Sequence, residues 1–552
     1  MNYNEYMELV NKKLLAMSES EKTRWIYNAL RVAKENERIK SLNSLDVEQD
    51  YNSFVYEKDK LEEWCSKVEE SEIYFECEGH EEYEEGYWDS DYVYEYYDPF
   101  GIIKDINKAF KIAEDLLYQK EYKESQALSN RILGMSFNVS DVGTGDWYEM
   151  NFKEITDEVI NSFDYERVIL NLLYATYNVT DGRNRAEVLY KYLNWDESKN
   201  IKIEEIFRIG SEELRDIDCF MDDWISFLSE EEGDRAGKLL LEACLYKGGI
   251  KYLCETSRTK YLKHPVLFKY ACEYFLREGN DLECEKLGLE AIGVLHEYLV
   301  IRGEIAELTA KAAENLLHKD VVNKCCEAAF YSKPSLNNYL RLFDIPDYKN
   351  ITSRASKYAQ KLPESISKFD HGNNQMMFCI LSRSHKDVIR FFNGEFDYIH
   401  DKCRKDDLLL GWSDGFKGVA VPFFILLLNK NNEITKAVSQ LIDGIVHRIG
   451  LIEMEKEEFF NLFLKWREKQ NITDEQYKKY IMWLEEEADK RVEAVVGGGY
   501  RKSYYKAAIL VVSLGETLES NGCINGKMLT IEKYRKLHSK KRAFKSELEL
   551  LS

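Results

Sequence analysis

Residues 304–334 read EIAELTAKAAENLLHKDVVNKCCEAAFYSKP, and this stretch decides the predicted fold. Apolar residues recur at helical spacing on both sides of a short turn at residues 318–320. The proline at the end of the stretch closes the second helix, because proline cannot continue one. Two antiparallel helices that meet through small side chains are typical of one unit of a helical solenoid. The two apolar faces are Ile305, Leu308, Ala312, Ala313 and Leu316, then Val322, Cys325, Cys326, Ala329 and Phe330.

Most of the remaining chain shows the same helical spacing. Residues 103–133 form a second predicted hairpin, which resembles a tetratricopeptide hairpin through the small residues Ala113 and Ser125. Glycine (29) and proline (6) are scarce for 552 residues, and no stretch alternates apolar and polar residues as a strand would. We therefore predict an all-α fold, a tetratricopeptide-like α-solenoid of antiparallel helix pairs, with no sheet and with a loop at residues 136–150.

Composition and periodicity divide the chain into five predicted segments. Charge and aromatic content set the second segment apart, and a run of three glycines at 497–499 precedes the fifth as a predicted hinge. The segments are 1–68, N-terminal helices; 69–101, an acidic aromatic-rich segment; 102–343, tetratricopeptide-like repeats; 344–496, a continued helical array; and 497–552, a basic C-terminal helical tail.

The net charge of −23 argues against duplex DNA or an anionic membrane as a partner for the whole surface. The first residues lack the basic head and apolar core of a signal peptide. The longest apolar run, 419–428, is about half the length of a membrane span. The twelve cysteines are scattered and several lie on apolar helix faces, which favours a reducing cytoplasm. The sequence leaves the oligomeric state open.

The segment 69–101 belongs to a stretch with no lysine or arginine between Lys67 and Lys104. Its acidic run favours a solvated, draped segment, because like charges repel each other and few aliphatic side chains are present. The alternative is an interaction segment for a basic, pocketed partner. In that case the aromatic side chains of Tyr83, Tyr87 and Trp88 would make the contacts.

The C-terminal segment has the opposite charge. Residues 501–552 hold eleven Lys or Arg and five Asp or Glu, a local excess of +6. This tail is predicted to contact either nucleic acid or the acidic tract near residue 85, and charge alone does not separate the two. The glycine run followed by two cations could also cradle an anion, although a hinge is favoured over that role. The candidate contact residues are Arg501, Lys502, Lys540, Lys541 and Arg542.

Two motifs invite a catalytic or metal interpretation. A G-x-S-x-G match at 411–415 places Ser413 as a hydrolase nucleophile, but the strand–turn–helix context that the motif requires is missing. Cys77 and His80, with Cys65 nearby, supply too few paired ligands for a structural zinc site. We therefore predict no catalytic residue, no cofactor and no metal, and we keep a serine hydrolase at Ser413 as the least favoured alternative.

Three stretches resemble the helical region of bacterial SWIM zinc-finger proteins. One is VGGGYRKSYYKAA at 496–508, with LGE at 514–516 and RAF at 542–544. Another is AAFYS at 328–332 with NYLRL at 338–342, and LGWS at 410–413 is similar too. The resemblance implies a tetratricopeptide-like helical architecture in a bacterial protein. The C-x-C and C-x-H ligands of the SWIM finger do not occur as a set, so the resemblance does not extend to zinc.

These observations together predict an intracellular protein-interaction scaffold or adaptor that binds a protein or peptide and has no catalytic activity of its own. The alternative is a nucleic-acid-associated accessory factor that uses the basic C-terminal tail, which the net charge disfavours.

Overall fold

The computed structural model describes residues 51–83, 90–160, 163–207, 209, 214–362, 385–405, 415–451 and 455–551. These residues form 24 α-helices and four β-strands, so the prediction of a mostly helical protein is confirmed. The prediction that the chain has no sheet is wrong. The chain divides into two compact units, Met1–Leu253 and Cys254–Ser552.

The first unit contains a four-stranded sheet with the order β2-β1-β3-β4. Strand β1 pairs antiparallel with β2 over eight residue pairs and parallel with β3 over three, and β3 pairs antiparallel with β4. Helix α1 packs into the same apolar core as the strands and α2. The elements are α1 (Tyr51–Glu69), β1 (Phe75–Tyr83), β2 (Ser90–Tyr97), α2 (Ile102–Tyr118), α3 (Tyr122–Leu133), β3 (Ser136–Asp141), β4 (Trp147–Asn151) and α4 (Phe152–Glu158).

The sheet overturns two predictions. Within the acidic segment 69–101, β1 and β2 are paired strands instead of a draped segment, and β3 and β4 lie where a loop was predicted at residues 136–150. Only a few inward residues, such as Phe75 and Cys77 in β1, are apolar and buried. Backbone hydrogen bonds pair the strands whatever the side chains are, so the run of glutamate and tyrosine hid the period-two pattern.

Five further helices follow, and the last of them, α9, runs across the boundary between the two units. Helix α9 bends at Gly248 and Gly249, where Gly249 has φ 62° and ψ −157°, a conformation that is open to glycine because it lacks a Cβ. The helices are α5 (Tyr165–Val179), α6 (Arg185–Leu193), α7 (Ile203–Ile206), α8 (Ile217–Glu230) and α9 (Asp234–Lys260).

Among its described residues the second unit is helical. Its helices are α10 (Val266–Arg277), α11 (Asp281–Val294), α12 (Val300–Asn315), α13 (Lys319–Ser332), α14 (Leu336–Arg341), α15 (Tyr348–Ala359), α16 (His385–Phe392), α17 (Phe396–Arg404), α18 (Lys417–Leu428), α19 (Lys436–Asp443), α20 (Lys456–Glu468), α21 (Asp474–Val492), α22 (Tyr504–Ser520), α23 (Gly526–Leu537) and α24 (Arg542–Leu551).

Four helix pairs share one turn of three residues: α2–α3, α10–α11, α12–α13 and α16–α17. The middle residue of the turn has a positive φ, 68° at Lys120, 71° at Gly279, 61° at Leu317 and 83° at Gly394. The next amide donates to the carbonyl five residues earlier, as His318 N does to Ala313 O at 2.9 Å, which is a Schellman closure. The same Schellman motif therefore closes the first helix of each of these hairpins.

The core of the second unit surrounds α18, which is buried from Val419 to Leu428 as the apolar run predicts. Trp466 of α20 donates its indole N–H to Phe392 O at 2.8 Å, so this buried polar group is satisfied. Helix α22 belongs to the same core, with Ala507–Thr517 buried. No helix among the described residues is both long and apolar enough to cross a membrane.

Candidate functional site

A cleft of about 840 Å³ opens in the second unit. Helices α10, α12 and α13 form one wall, and α20 forms the other, with α14 and the chain after it between them. The α20 wall is more than 100 residues away in sequence from the wall that it faces. The cleft is therefore a product of tertiary folding and not of one repeat.

Helical spacing places a single face of α12 in the cleft. Glu304, Glu307, Leu308, Lys311 and Glu314 line it, at intervals of three and four residues or directly adjacent. Residues three and four apart on a helix lie on the same side, so this face is continuous over three turns. The opposite face of α12 is buried and holds small and aliphatic side chains, among them Ile305, Ala306, Ala312 and Ala313.

Apolar side chains form part of the cleft surface. They come from several different helices, and Leu276, Leu308, Val322, Cys326 and Leu462 are examples. Burial raises the pKa of the Cys326 thiol to about 11, so this thiol is protonated at neutral pH. A protonated, buried cysteine packs as a small apolar residue and is a weak nucleophile.

A chain of polar contacts joins the two walls. Glu307 accepts hydrogen bonds from Lys333 Nζ at 3.2 Å and Asn338 Nδ2 at 2.7 Å. Arg341 donates to Asn338 Oδ1 at 3.3 Å and forms an ion pair with Glu458 of α20. Burial disfavours the charged guanidinium, but the carboxylates of Glu458 and Glu307 outweigh this and raise the pKa of Arg341. These contacts hold α20 against α12 and α14.

Two more ion pairs lie at the ends of the cleft. Lys269 of α10 contacts Glu304 of α12 at 2.8 Å, and Asp344 contacts Lys465 at 2.9 Å. In total, seven carboxylates and five cations line the cleft, an excess of two negative charges. Glu314 and Glu457 are exposed to solvent there. The cleft thus combines apolar surface with an acidic rim, which suits a ligand that carries both apolar and cationic groups.

Of the three predicted aromatic contact residues, only Tyr83 lies in the part of the chain that the structure describes. Tyr83 is the last residue of β1 in the first unit, and Tyr87 and Trp88 lie outside the described residues. Nothing in the described geometry therefore brings these three aromatic residues into one site.

The predicted basic residues do meet in part. Arg501 and Lys502 are exposed in the short turn before α22, and Lys540 and Arg542 are exposed before and at the start of α24. Lys541 Nζ lies 3.5 Å from the carbonyl oxygen of Gly497. The contact places the cationic residues at 540–542 beside the glycine turn that leads into the other two cations.

The metal and hydrolase motifs gain no support from the geometry. Cys77 and His80 are three residues apart in β1, so their side chains point to opposite faces of the strand and cannot bind one ion together. Cys77 is buried, whereas His80 is exposed. Within the part of the chain that the structure describes, no three His, Cys, Asp or Glu side chains cluster as metal ligands would. Ser413 lies outside the described residues.

Sequence reasoning missed the cleft because its second wall is distant in sequence. The spacing of Glu458, Asn461 and Lys465 marks one polar face of α20, but any solvated helix carries such a face. The local signal was the predicted hairpin with Glu304 and Glu307 on its polar side. No protein-family model matches the chain, and no curated protein matches it. The resemblance to SWIM zinc-finger proteins therefore stays a prediction.

Proposed function

We propose that this protein is an interaction scaffold that binds a peptide segment of a partner protein in the cleft between α10, α12, α13 and α20. The observation that carries the proposal is the cleft itself, an open groove with apolar surface and an acidic rim. Grooves of this kind, walled by helices, are common peptide-recognition surfaces. The proposal assigns the chain a binding role and no catalytic activity.

The arrangement of the helices supports a tetratricopeptide-like array in this region. Hairpin α12–α13 is antiparallel, since Arg302 near its start donates to Ser332 Oγ at its end, at 2.7 Å. The preceding hairpin contacts it through both helices: Lys269 of α10 pairs with Glu304, and Gly288 of α11 lies against Thr309. We infer that the two hairpins are consecutive repeats of a solenoid whose first helices line the cleft.

The chemistry of the cleft favours a partner segment with lysine or arginine next to apolar side chains. The acidic rim attracts cations, and the net charge of −23 steers basic partners toward the protein. The ion pairs of Arg341 and Lys465 already fix the walls, so little ordering is needed on binding. All described cysteines are free and most are buried, which supports the proposed cytoplasmic location.

Selection from a random library of displayed dodecapeptides tests this proposal, because the library samples many combinations of cationic and apolar residues. The expected result is enrichment of sequences in which Lys or Arg flanks aliphatic or aromatic residues. The Glu314→Lys/Glu457→Lys variant should weaken the selected peptides about tenfold, since two exposed attractions become repulsions. No enrichment, or enrichment of acidic sequences, would overturn the proposal.

A matched control separates the cleft from the overall charge. Glu278 and Glu297 are exposed and do not line the cleft. The variant Glu278→Lys/Glu297→Lys makes the same change in net charge and should leave the peptide affinity within about twofold of the parent value. An equal loss in both variants would mean that only the net charge attracts the peptides.

The contact between Lys541 and the glycine turn favours a second candidate function, binding of nucleic acid at the C-terminal cations. Pairing with acidic side chains already occupies Lys527, Lys533 and Arg535, which leaves a smaller patch than the sequence suggests. A filter-binding titration across salt tests this candidate. Affinity that does not fall as salt rises, or that is unchanged in Lys540→Ala/Lys541→Ala/Arg542→Ala, would exclude it.

A further inference from the structure

A second cavity of about 500 Å³ lies in the second unit, apart from the cleft. Helices α18, α19, α21, α22 and α24 and the turn after α19 surround it. The two cavities have no lining residue in common. The volume falls within the range of about 300–1,000 Å³ that is usual for sites of small organic ligands.

Much of the cavity wall is apolar. Pro422 of α18, Leu441 and Ile445 at the end of α19, and Ile509 and Leu510 of α22 line it. These side chains are buried or belong to the continuous core of the unit. A ligand that fills this cavity therefore gains from burying an apolar body of its own.

The charged groups in the wall are mainly cationic. Arg448, Arg491 and Lys506 line the cavity, against the carboxylates of Asp443 and Glu547. Asp443 also forms an ion pair with Lys456, which is not a lining residue. The wall thus holds three cations and two carboxylates. In a chain of net charge −23, this cavity is locally positive.

A proline within a helix also lines this wall. Pro422 lies inside α18 and has no amide hydrogen, so the carbonyl of Gly418 cannot receive the usual α-helical bond from the residue four positions later. Gly418 and Pro422 both line the cavity.

We propose that this cavity binds a small amphipathic acid, in which a carboxylate contacts Arg448, Arg491 and Lys506 and an aliphatic body packs on Pro422 and the helices. Arginine and lysine bind carboxylates through charge-assisted hydrogen bonds, which are stronger inside a poorly hydrated cavity than in water. The carboxylate is supplied by a free aliphatic acid or by the C-terminus of an apolar peptide. The inference is independent of the proposed peptide cleft.

Titration calorimetry with the full chain tests the proposal, with sodium decanoate below its micelle concentration as the probe. We expect saturable binding at one site per chain, and binding at least tenfold weaker for decanol and decylamine. N-acetyl-Leu-Leu as the free acid and as the amide forms a second arm. If the peptide acid binds more strongly than decanoate, the natural ligand is the C-terminus of an apolar peptide. If it binds more weakly, the natural ligand is a free aliphatic acid. Equal affinity for decanoate and decanol would overturn the proposal.

Solvent-accessible residues provide variants that keep the fold. Lys506→Glu should weaken decanoate about tenfold, and Glu547→Gln should strengthen it about threefold because a competing carboxylate is removed. Lys502→Glu is the matched control, since Lys502 is exposed, four residues away and not in the cavity wall. Circular dichroism establishes that each variant is folded. An equal loss in Lys502→Glu and Lys506→Glu would overturn the assignment of this cavity.

Discussion

The ion pair between Lys417 of α18 and Glu487 of α21 offers the sharpest test of how the core of the second unit is held together. The two charged atoms lie 3.2 Å apart, and the side chains are only 3% and 5% exposed. Glu487 also contacts Lys490 at 3.3 Å, but the Lys490 side chain is 53% exposed. The pair is therefore buried within the unit. The solvent-exposed Lys490 gives the Glu487 carboxylate a second, partly hydrated cationic partner.

Replacing one partner of this ion pair should lower the free energy of unfolding much more than replacing both partners. Glu487→Leu leaves an ammonium in a buried site, and breaking such a pair typically destabilises a protein by about 3–5 kcal/mol. Lys417→Met leaves a carboxylate that Lys490 still neutralises in part, so we expect a cost of about 2 kcal/mol. The double variant Lys417→Met/Glu487→Leu restores an apolar contact and should lie within about 1 kcal/mol of the parent.

Hydrogen exchange measured on peptides from α18 and α21 is the suitable assay, because a chain with two compact units need not unfold in one step. The expected order of protection is parent and double variant together, then Lys417→Met, then Glu487→Leu. Glu487→Gln keeps the shape of the side chain and isolates the effect of charge. Two results would refute this explanation: stability losses of the two single variants that simply add in the double variant, or a loss of less than about 1 kcal/mol in Glu487→Leu.

Three other perturbations have expected outcomes, each measurable by urea denaturation or thermal melting. Leu317 has φ 61° and is 81% exposed, so Leu317→Gly should stabilise its hairpin by about 1 kcal/mol. Gly279→Ala at the equivalent turn should destabilise the α10–α11 hairpin. Unchanged stability in either variant would refute the turn geometry. A Cβ on Gly288 would lie 1.9 Å from Thr309 Oγ1, so Gly288→Ala should destabilise the protein by about 1–3 kcal/mol. The double variant Gly288→Ala/Thr309→Ala should recover part of this stability. If the stability losses of the two single substitutions simply added in the double variant, this contact would be contradicted. Burial raises the pKa of Glu242 to about 7, so the folded state holds this proton more tightly than the unfolded state does. Stability should therefore fall by about 2 kcal/mol as the pH rises from 4.5 to 7, and Glu242→Gln should remove this dependence of stability on pH. An unchanged pH dependence in the variant would refute the assignment to Glu242.

Helices with strong periodicity and clear ends could be predicted from the sequence. The hairpin predicted over residues 103–133 consists of α2 (Ile102–Tyr118) and α3 (Tyr122–Leu133). The hairpin at 304–334 buries most of its two predicted apolar faces, whereas Leu308, Leu316 and Val322 are half-buried. In each case three or more apolar residues recur at helical spacing between polar turns, and local spacing alone determines the element.

The sheet could not be predicted in the same way. Strand β1 also pairs in parallel with β3, whose Val139 lies 64 residues after Phe75, and local spacing does not reveal such a partner. The acidic run over 81–92 suggested solvation, yet its described residues, 81–83 and 90–92, belong to β1 and β2. Backbone pairing and a few buried residues outweigh the charge of the outer face.

The cleft was also beyond local analysis. Its chemistry depends on pairing between residues such as Arg341 and Glu458, which are 117 positions apart. The sequence indicated a helical groove that binds a partner, but it placed the contact residues on the aromatic segment and the basic tail. The cleft residues are ordinary solvent-facing side chains until the fold brings the two walls together.

The central claim is that a partner peptide lies in the cleft, and site-specific crosslinking tests it most directly. A photoreactive benzoylphenylalanine would replace Asn461, which is exposed on the α20 wall, or Lys324, which is exposed on α13 outside the cleft. With a peptide from the library selection, we expect crosslinks from position 461 and not from position 324. Equal crosslinking from both positions, or none from 461 by a peptide that binds the chain, would contradict the account.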